Sequence, residues 1–254
     1  MKIKESIYLG ILFLVVACSQ LRKPEGIDIE GEFQNASGKK LYFSELEVDG
    51  IINLDSIILD DKGKFKFRYK PSDAGFYLLK SVTGEKILLL LEKDESVKVF
   101  SNFDKVPFSY EVSGSPGSLL LKEYFFQTSV NLCKADSLTS ILIKLKGTPE
   151  FFQRSIAFDT LFNKIINDQK TVEKTFISKN KNSLASLIVL NYTFGMLPVL
   201  KEDEDFNLYL LLDSTLTKSY PFNKHVLFLH KRVAEHQRQQ ALQKLREEEN
   251  KKKY

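Results

Sequence analysis

Asp60-Asp61-Lys62-Gly63-Lys64-Phe65-Lys66-Phe67-Arg68-Tyr69 reads first as a tight turn and then as a strand. Asp and Gly take up the turn conformations that other residues resist. Phe65, Phe67 and Tyr69 then alternate with Lys64, Lys66 and Arg68. A period of two puts the rings on one face of a sheet and the cations on the other. The stretch predicts a hairpin entering a one-sided sheet.

The same period extends in both directions. Upstream, Ile27, Ile29, Gly31 and Phe33 alternate with Asp28, Glu30 and Glu32. A turn at Asn35-Ala36-Ser37-Gly38, a strand at Leu41-Tyr42-Phe43, a turn at Val48-Asp49-Gly50 and an apolar, β-branched run from Ile51 to Leu59 follow. Downstream, strands are expected at Gly75–Lys80, Lys86–Leu91 and Ser96–Ser101, joined by Thr83-Gly84-Glu85 and Glu92-Lys93-Asp94-Glu95. Links this short predict antiparallel neighbours, because parallel strands need long crossovers. Residues 27–113 therefore read as an antiparallel β-sandwich or barrel-like domain.

The period changes at Ser113-Gly114-Ser115-Pro116-Gly117-Ser118, which reads as a linker from sheet to helices. From Leu119 the apolar residues recur at helical spacing. Thr148-Pro149-Glu150 predicts a helix start, with a capping hydroxyl, Pro at the first helical position and an acid near the positive helix end. Phe151, Phe152, Ile156, Leu161, Phe162, Ile165 and Ile166 are expected on its buried side. A third helix is predicted over Ser183–Leu197, stopped by Pro198. A fourth is predicted from Glu202-Asp203-Glu204-Asp205, with Phe206, Tyr209, Leu210 and Leu212 as its apolar side, and a last one from about Asn223. The class is α+β: the β domain, an all-helical region over 118–230, and a charged helical tail over 231–254.

The opening carries an address. Met1-Lys2-Ile3-Lys4 is basic, Ile7 to Ala17 is an eleven-residue uncharged run, and Cys18 follows directly. That run is short of the ~20 residues of a spanning helix and fits a secretory signal. Val15-Val16-Ala17-Cys18 resembles the bacterial lipobox. The resemblance implies cleavage between Ala17 and Cys18, a signal peptide at 1–17, a lipidated linker over 18–26, and acyl chains on Cys18 that anchor the chain stably to a membrane. Neither an Asp nor an acidic run follows Cys18, so the expected address is the periplasmic face of the outer membrane.

The whole chain is +4, and from Lys231 onward eight Lys or Arg stand against four Glu, so the tail alone carries that excess. The body is thus near neutral, which argues against a nucleic-acid surface. With Cys18 lipidated, Cys133 has no disulfide partner; it reads as a redox thiol or as a small buried hydrophobe, and without a CxxC neighbour the second is the expectation.

Each candidate chemistry meets a structural alternative. His225, His230 and His236 are separated by five and six residues on one predicted helix. Those steps rotate by ~140° and ~240°, so the three rings diverge and no shared metal is expected. Asp60-Asp61 suits a turn and Glu202–Asp205 suits a helix N-terminus, so neither is read as a catalytic acid pair. Ser113–Ser118 lacks both the nucleophile-elbow and the phosphate-loop patterns. Lys64–Tyr69 could be a stacking platform for nucleic acid, but a one-sided sheet explains it. The tail from Lys231 has too few apolar residues for a coiled-coil seam. It is expected to be solvated, or alternatively to dock a partner or anionic headgroups. No catalytic constellation and no cofactor site is expected.

Gly31 with Asn35-Ala36-Ser37-Gly38, Leu54 through Phe67, Phe76-Tyr77-Leu78, Glu92–Ser96, Tyr110 through Ser115 and Asn182-Ser183-Leu184-Ala185-Ser186 together resemble a known pattern. It is the N-terminal domain of unknown function, β-domain plus helices, of bacteroidete thiol:disulfide interchange (thioredoxin-like) lipoproteins, matched over roughly 26–230. In that family a thioredoxin-like domain with a CxxC pair commonly follows; no CxxC occurs in this sequence, so no catalytic residue is carried over. The expectation is a non-catalytic, lipid-anchored envelope protein acting as an interaction module. The alternatives are an accessory of thiol–disulfide exchange with a separate thioredoxin-like partner, and a glycan- or peptide-binding lipoprotein using its sheet face.

Overall fold

The computed structural model describes residues 25–252 apart from Thr83, Glu85 and 104–108. The expected signal peptide, Ala17 and the lipid-bearing Cys18 lie outside the described residues.

The chain is α+β. Eight strands come first: β1 (Ile27–Gln34), β2 (Lys40–Leu46), β3 (Ile51–Ile58), β4 (Lys64–Tyr69), β5 (Gly75–Ser81), β6 (Lys86–Leu91), β7 (Ser96–Asn102) and β8 (Tyr110–Ser113). Helices α1 (Pro116–Leu145), α2 (Phe151–Lys179) and α3 (Ala185–Leu190) follow. A small hairpin, β9 (Thr193–Phe194) and β10 (Leu197–Pro198), precedes α4 (Glu202–Ser219) and α5 (Lys224–Lys251).

The eight strands form two four-stranded sheets, ordered β4-β1-β7-β8 and β3-β2-β5-β6. Their inner faces share one core, in which Phe67, Phe43 and Tyr77 stack in series with centroids 5.3 and 5.4 Å apart. The alternation in β4 behaves as the sequence predicts. Phe65 and Phe67 are buried, while Lys66 and Arg68 face Glu30 and Asp28 on β1.

Two expectations about connections are corrected. Asp60–Gly63 makes a turn but not a hairpin, because β3 and β4 lie in different sheets. Asp60 Oδ1 accepts from Lys62 N and Lys64 N at 2.9 and 2.8 Å, and the Gly63 carbonyl accepts from Phe33 N at 2.9 Å. Gly63 has φ +72°, and a Cβ there would lie 2.0 Å from the Phe33 carbonyl oxygen. The turn is thereby pinned to the end of β1 and carries the chain across the sandwich. The sandwich is also not wholly antiparallel: Glu92–Glu95 crosses from one sheet to the other, and β7 runs parallel to β1. A short link forces antiparallel pairing only between strands of one sheet.

The outer face of the β3-β2-β5-β6 sheet is covered by helices. Phe76 and Leu90 join Leu121, Tyr124, Ile177, Leu212 and Val226 in a second core. Both faces of β5 are buried, which explains its apolar run Phe76-Tyr77-Leu78-Leu79.

The helices depart from expectation at several places. Thr148 does not cap α2: its hydroxyl donates to the Leu145 carbonyl of α1 at 2.8 Å, and α2 starts at Phe151 after Glu150 with no side-chain cap. The expected buried side of α2 fails in its first half, where Phe152 is 74% and Ile156 60% exposed; burial begins at Ile165. The α1–α2 pair is about 45 Å long by helix rise, and from Asp136 to Lys164 none of its residues is buried. The third helix ends at Leu190 rather than Leu197. Gly195, at φ +65°, and Met196 turn the chain between β9 and β10, and Phe194 seals a third small core with Ala135, Ile165 and Val199. Helix α5 starts as expected, with Asn223 accepting from His225 N at 3.1 Å, whereas α4 opens at Glu202 but is kinked at Asp205, where φ −115° and ψ 23° leave the helical range.

Candidate functional site

The outer face of the β3-β2-β5-β6 sheet is built in rows. Strand register sets Phe76 between Leu46 and Leu90, Leu78 between Ser44 and Leu88, and Lys80 between Tyr42 and Lys86. The alternate residues Tyr77, Leu79, Ile87 and Leu89 point into the sandwich. The face therefore grades from an apolar end under the helices to a basic end.

Helix α1 is fixed over this face by its first turn. Ser115 caps it, accepting from Ser118 N at 3.3 Å and donating to the Leu90 carbonyl at 2.8 Å. Ser118 Oγ donates to the same carbonyl at 3.0 Å and accepts from Leu90 N at 3.1 Å. A Cβ at Gly117 would lie 2.7 Å from Leu90 Cγ, so glycine permits this close approach. The Ser113–Ser118 stretch is thus a built junction rather than a loose linker.

Further along, α1 stands off the sheet and leaves a cleft of about 460 Å³. Leu46, Ile51, Leu78 and Leu88 line it from the sheet, and Phe125, Phe126 and Leu132 from α1. Lys86, Lys122 and Tyr110 also line it, as do Thr128 and Tyr192. Lys122 is paired with Glu111. Tyr110 is 8% exposed, and its hydroxyl has no hydrogen-bond partner among the described residues; burial pushes it up to about 12. Phe126 is 70% exposed. A concave, mainly apolar site with a few polar groups is the usual form of a binding pocket.

Behind Thr128 and Tyr192 lies a buried polar cluster between α1 and α2. Tyr124, Thr128 and Asn131 follow at steps of four and three on α1 and meet Gln169 and Glu173, four apart on α2. Asn131 Nδ2 donates to Gln169 Oε1 at 3.1 Å. Gln169 Nε2 donates to Thr128 Oγ1 at 3.1 Å and to Glu173 Oε1 at 3.2 Å. Burial pushes the Glu173 carboxyl up to about 7, against the pull of its hydrogen bonds from Gln169 and Tyr124. The Tyr192 ring stands edge-on to Tyr124, with centroids 5.7 Å apart. Glu173 does not itself line the cleft, so it acts here as a support.

The residues singled out in the sequence are dispersed. His225 packs edge-on against Phe76 at 4.9 Å, and burial holds its imidazole below the usual range. His230 Nδ1 lies 3.0 Å from Asp213, and His236 stacks on Phe206 at 4.0 Å. Asp60 holds its turn. In the Glu202–Asp205 run, Glu202 accepts from Arg232 and Asp205 from Lys170 and Lys174. Cys133 is corrected: it is exposed, not buried, because Asn131 and Ala135 take the inward positions of that turn. Sequence reasoning missed the cleft and the Glu173 cluster. Their signals were the two-faced apolar pattern of β5 and β6 and the polar stripe on α1.

No helix among the described residues is long and apolar enough to cross a membrane. Residues 27–120 match a family model described as a domain of unknown function (DUF4369). That span takes in β1 to β8 and the opening of α1. No curated protein matches the chain.

Proposed function

We propose that the chain is a non-catalytic, lipid-anchored protein of the cell envelope that works by binding, with the cleft between α1 and the β3-β2-β5-β6 sheet as its binding surface. One observation carries this reading. The cleft exposes Phe126 and Ile51 beside Leu78 and Leu88, while its polar lining among the described residues is hydroxyls and two lysines, with no carboxylate, imidazole or thiol among them. Such a lining suits recognition and offers no nucleophile–base pair. The anchor at Cys18 and the periplasmic face of the outer membrane rest on the lipobox resemblance. That a thioredoxin-like protein is the partner rests on the family resemblance and would make this chain an accessory of thiol–disulfide exchange.

A photoreactive phenylalanine analogue at Phe126, in cells, tests the reading. Adducts at 126 that are missing when the analogue replaces Lys93, an exposed turn residue, support it. Equal labelling at both positions, or none at 126, counts against the cleft. A thioredoxin-like protein among the adducts would support the accessory role.

A further inference from the structure

Lys80 and Lys86 face each other across β5 and β6 on the outer side of the sheet. Like charges placed directly opposite on a sheet are unfavourable. The neighbours in their row, Tyr42 and Ser56, carry no negative charge, and no ion pair to either lysine occurs among the described residues. Lys40 adds a third cation, its ammonium 5.0 Å from the Tyr42 ring centre. The row directly below is Leu78 and Leu88, the floor of the cleft. A concentrated positive end therefore adjoins an apolar trough.

From this juxtaposition we infer that the cleft binds a free, single-chain anionic amphiphile of the long-chain fatty-acid type, its tail over Leu78 and Leu88 and its carboxylate at Lys86 and Lys80. The inference rests on the binding role proposed above and names the ligand class. The dimensions agree. From Lys86 to Ile51 is two rows along the strands and three strand spacings across, a diagonal of about 19 Å from strand geometry. An acyl chain spans about 15 Å, half of a bilayer's hydrocarbon core. The cleft volume of about 460 Å³ is in the range of small-molecule sites. Tyr110, whose hydroxyl lacks a partner among the described residues, lines the same cleft.

The test is fluorescence titration of the purified protein with cis-parinaric acid and with its uncharged methyl ester. Saturable binding of the acid is expected, with the ester weaker by about tenfold, the usual effect of losing one charged hydrogen bond. Lys80→Glu and Lys86→Glu should each weaken the acid and leave the ester unchanged. Phe126→Ala, at an exposed site that folding does not depend on, should weaken both. If acid and ester bind equally and charge reversal changes nothing, the anionic class is wrong while cleft binding stands. Should neither probe bind the folded protein, the amphiphile is overturned, and the Phe126 crosslink alone decides the binding role. Cosedimentation with phosphatidylglycerol vesicles without uptake of free parinarate would also overturn it, in favour of a membrane surface.

Discussion

Tyr124 donates its hydroxyl hydrogen to Glu173 Oε1 at 3.1 Å, joining α1 to α2 through two side chains sealed from solvent. The other carboxylate oxygen has no hydrogen-bond partner among the described residues. Burial dominates and pushes Glu173 from an ordinary 4.5 up to about 7. Between those values the folded protein keeps a proton that the unfolded chain has lost. Stability should therefore fall as pH rises from 4.5 to about 7 and then level off. The full effect is on the order of 3 kcal/mol. Glu173→Gln keeps the shape and stays neutral, so it should flatten this slope and be the more stable form at high pH. Urea midpoints across the window check it, and an unchanged slope in the variant would remove Glu173 as the source.

Asp205 presents the opposite case. Burial alone would raise its carboxyl, but Lys170 and Lys174, each at 2.8 Å, and the Lys201 backbone N–H at 3.1 Å together hold it below the usual range. Its contribution is present above the ordinary Asp value and is lost as pH falls through the lowered folded value. Asp205→Asn leaves two ammonium groups around a neutral amide and should destabilise the fold by about 3 kcal/mol near neutral pH. The difference from the parent should shrink in acid, where the parent carboxylate is itself protonated. A constant difference at all pH values would make the loss one of packing rather than charge.

These two acids mark what could be read in advance. Alternation located β1 and β4, because a half-buried strand writes its faces into alternate residues, and a continuous apolar run located β6, which is buried on both faces. Neither pattern could say which sheet each strand joins: Asp60–Gly63 has hairpin chemistry, yet Phe33 holds the turn and sends β4 to the far sheet. The acidic run at Glu202–Asp205 fixed the start of α4, but the burial of Asp205 depends on lysines 31 and 35 residues earlier, at Lys174 and Lys170. The cleft was invisible for the same reason. Leu78, Leu88 and Phe126 are ordinary apolar residues until α1 is pinned at Ser115 and Ser118 and then stands away from the sheet. Phe152 and Ile156 misled because helical spacing reports a face without saying that anything covers it.

Gly31 should be irreplaceable for a reason that periodicity does not reveal. It lies in β1 between β4 and β7, where a Cβ would fall 1.8 Å from the Val99 carbonyl oxygen and 2.9 Å from Phe65 Cζ. Ordinary Cβ contacts are far longer, and the nearer obstacle is backbone. Gly31→Ala must push β1 away from β7 and should cost about 3 kcal/mol or more. Gly38→Ala is a useful contrast: its φ is +70°, but a Cβ there meets nothing within 4 Å. It should cost about 1 kcal/mol, from backbone strain alone. Equal losses for the two would refute the steric account of Gly31.

The charged tail separates into a structural part and a free part, and the boundary falls later than Lys231. Arg232 donates to Glu202 at 2.6 Å and to Asn191 at 2.8 Å, Val233 is buried, and His236 stacks on Phe206. From Gln237 to Lys251 every residue is exposed although the helix continues. Ending the chain after His236 should leave the urea midpoint unchanged within about 0.5 kcal/mol, as for surface changes that break no contact. Ending it after His230 should cost about 3 kcal/mol, since a buried Val and a buried-edge ion pair go together. This difference decides how partner capture from native membranes is read. A protein lost only on ending the chain at His230 reports either a damaged fold or a contact with residues 231–236, whereas one already lost on ending it at His236 was held by the exposed helix itself. Retention by the shorter cut would place the contact on the body, where the cleft lies.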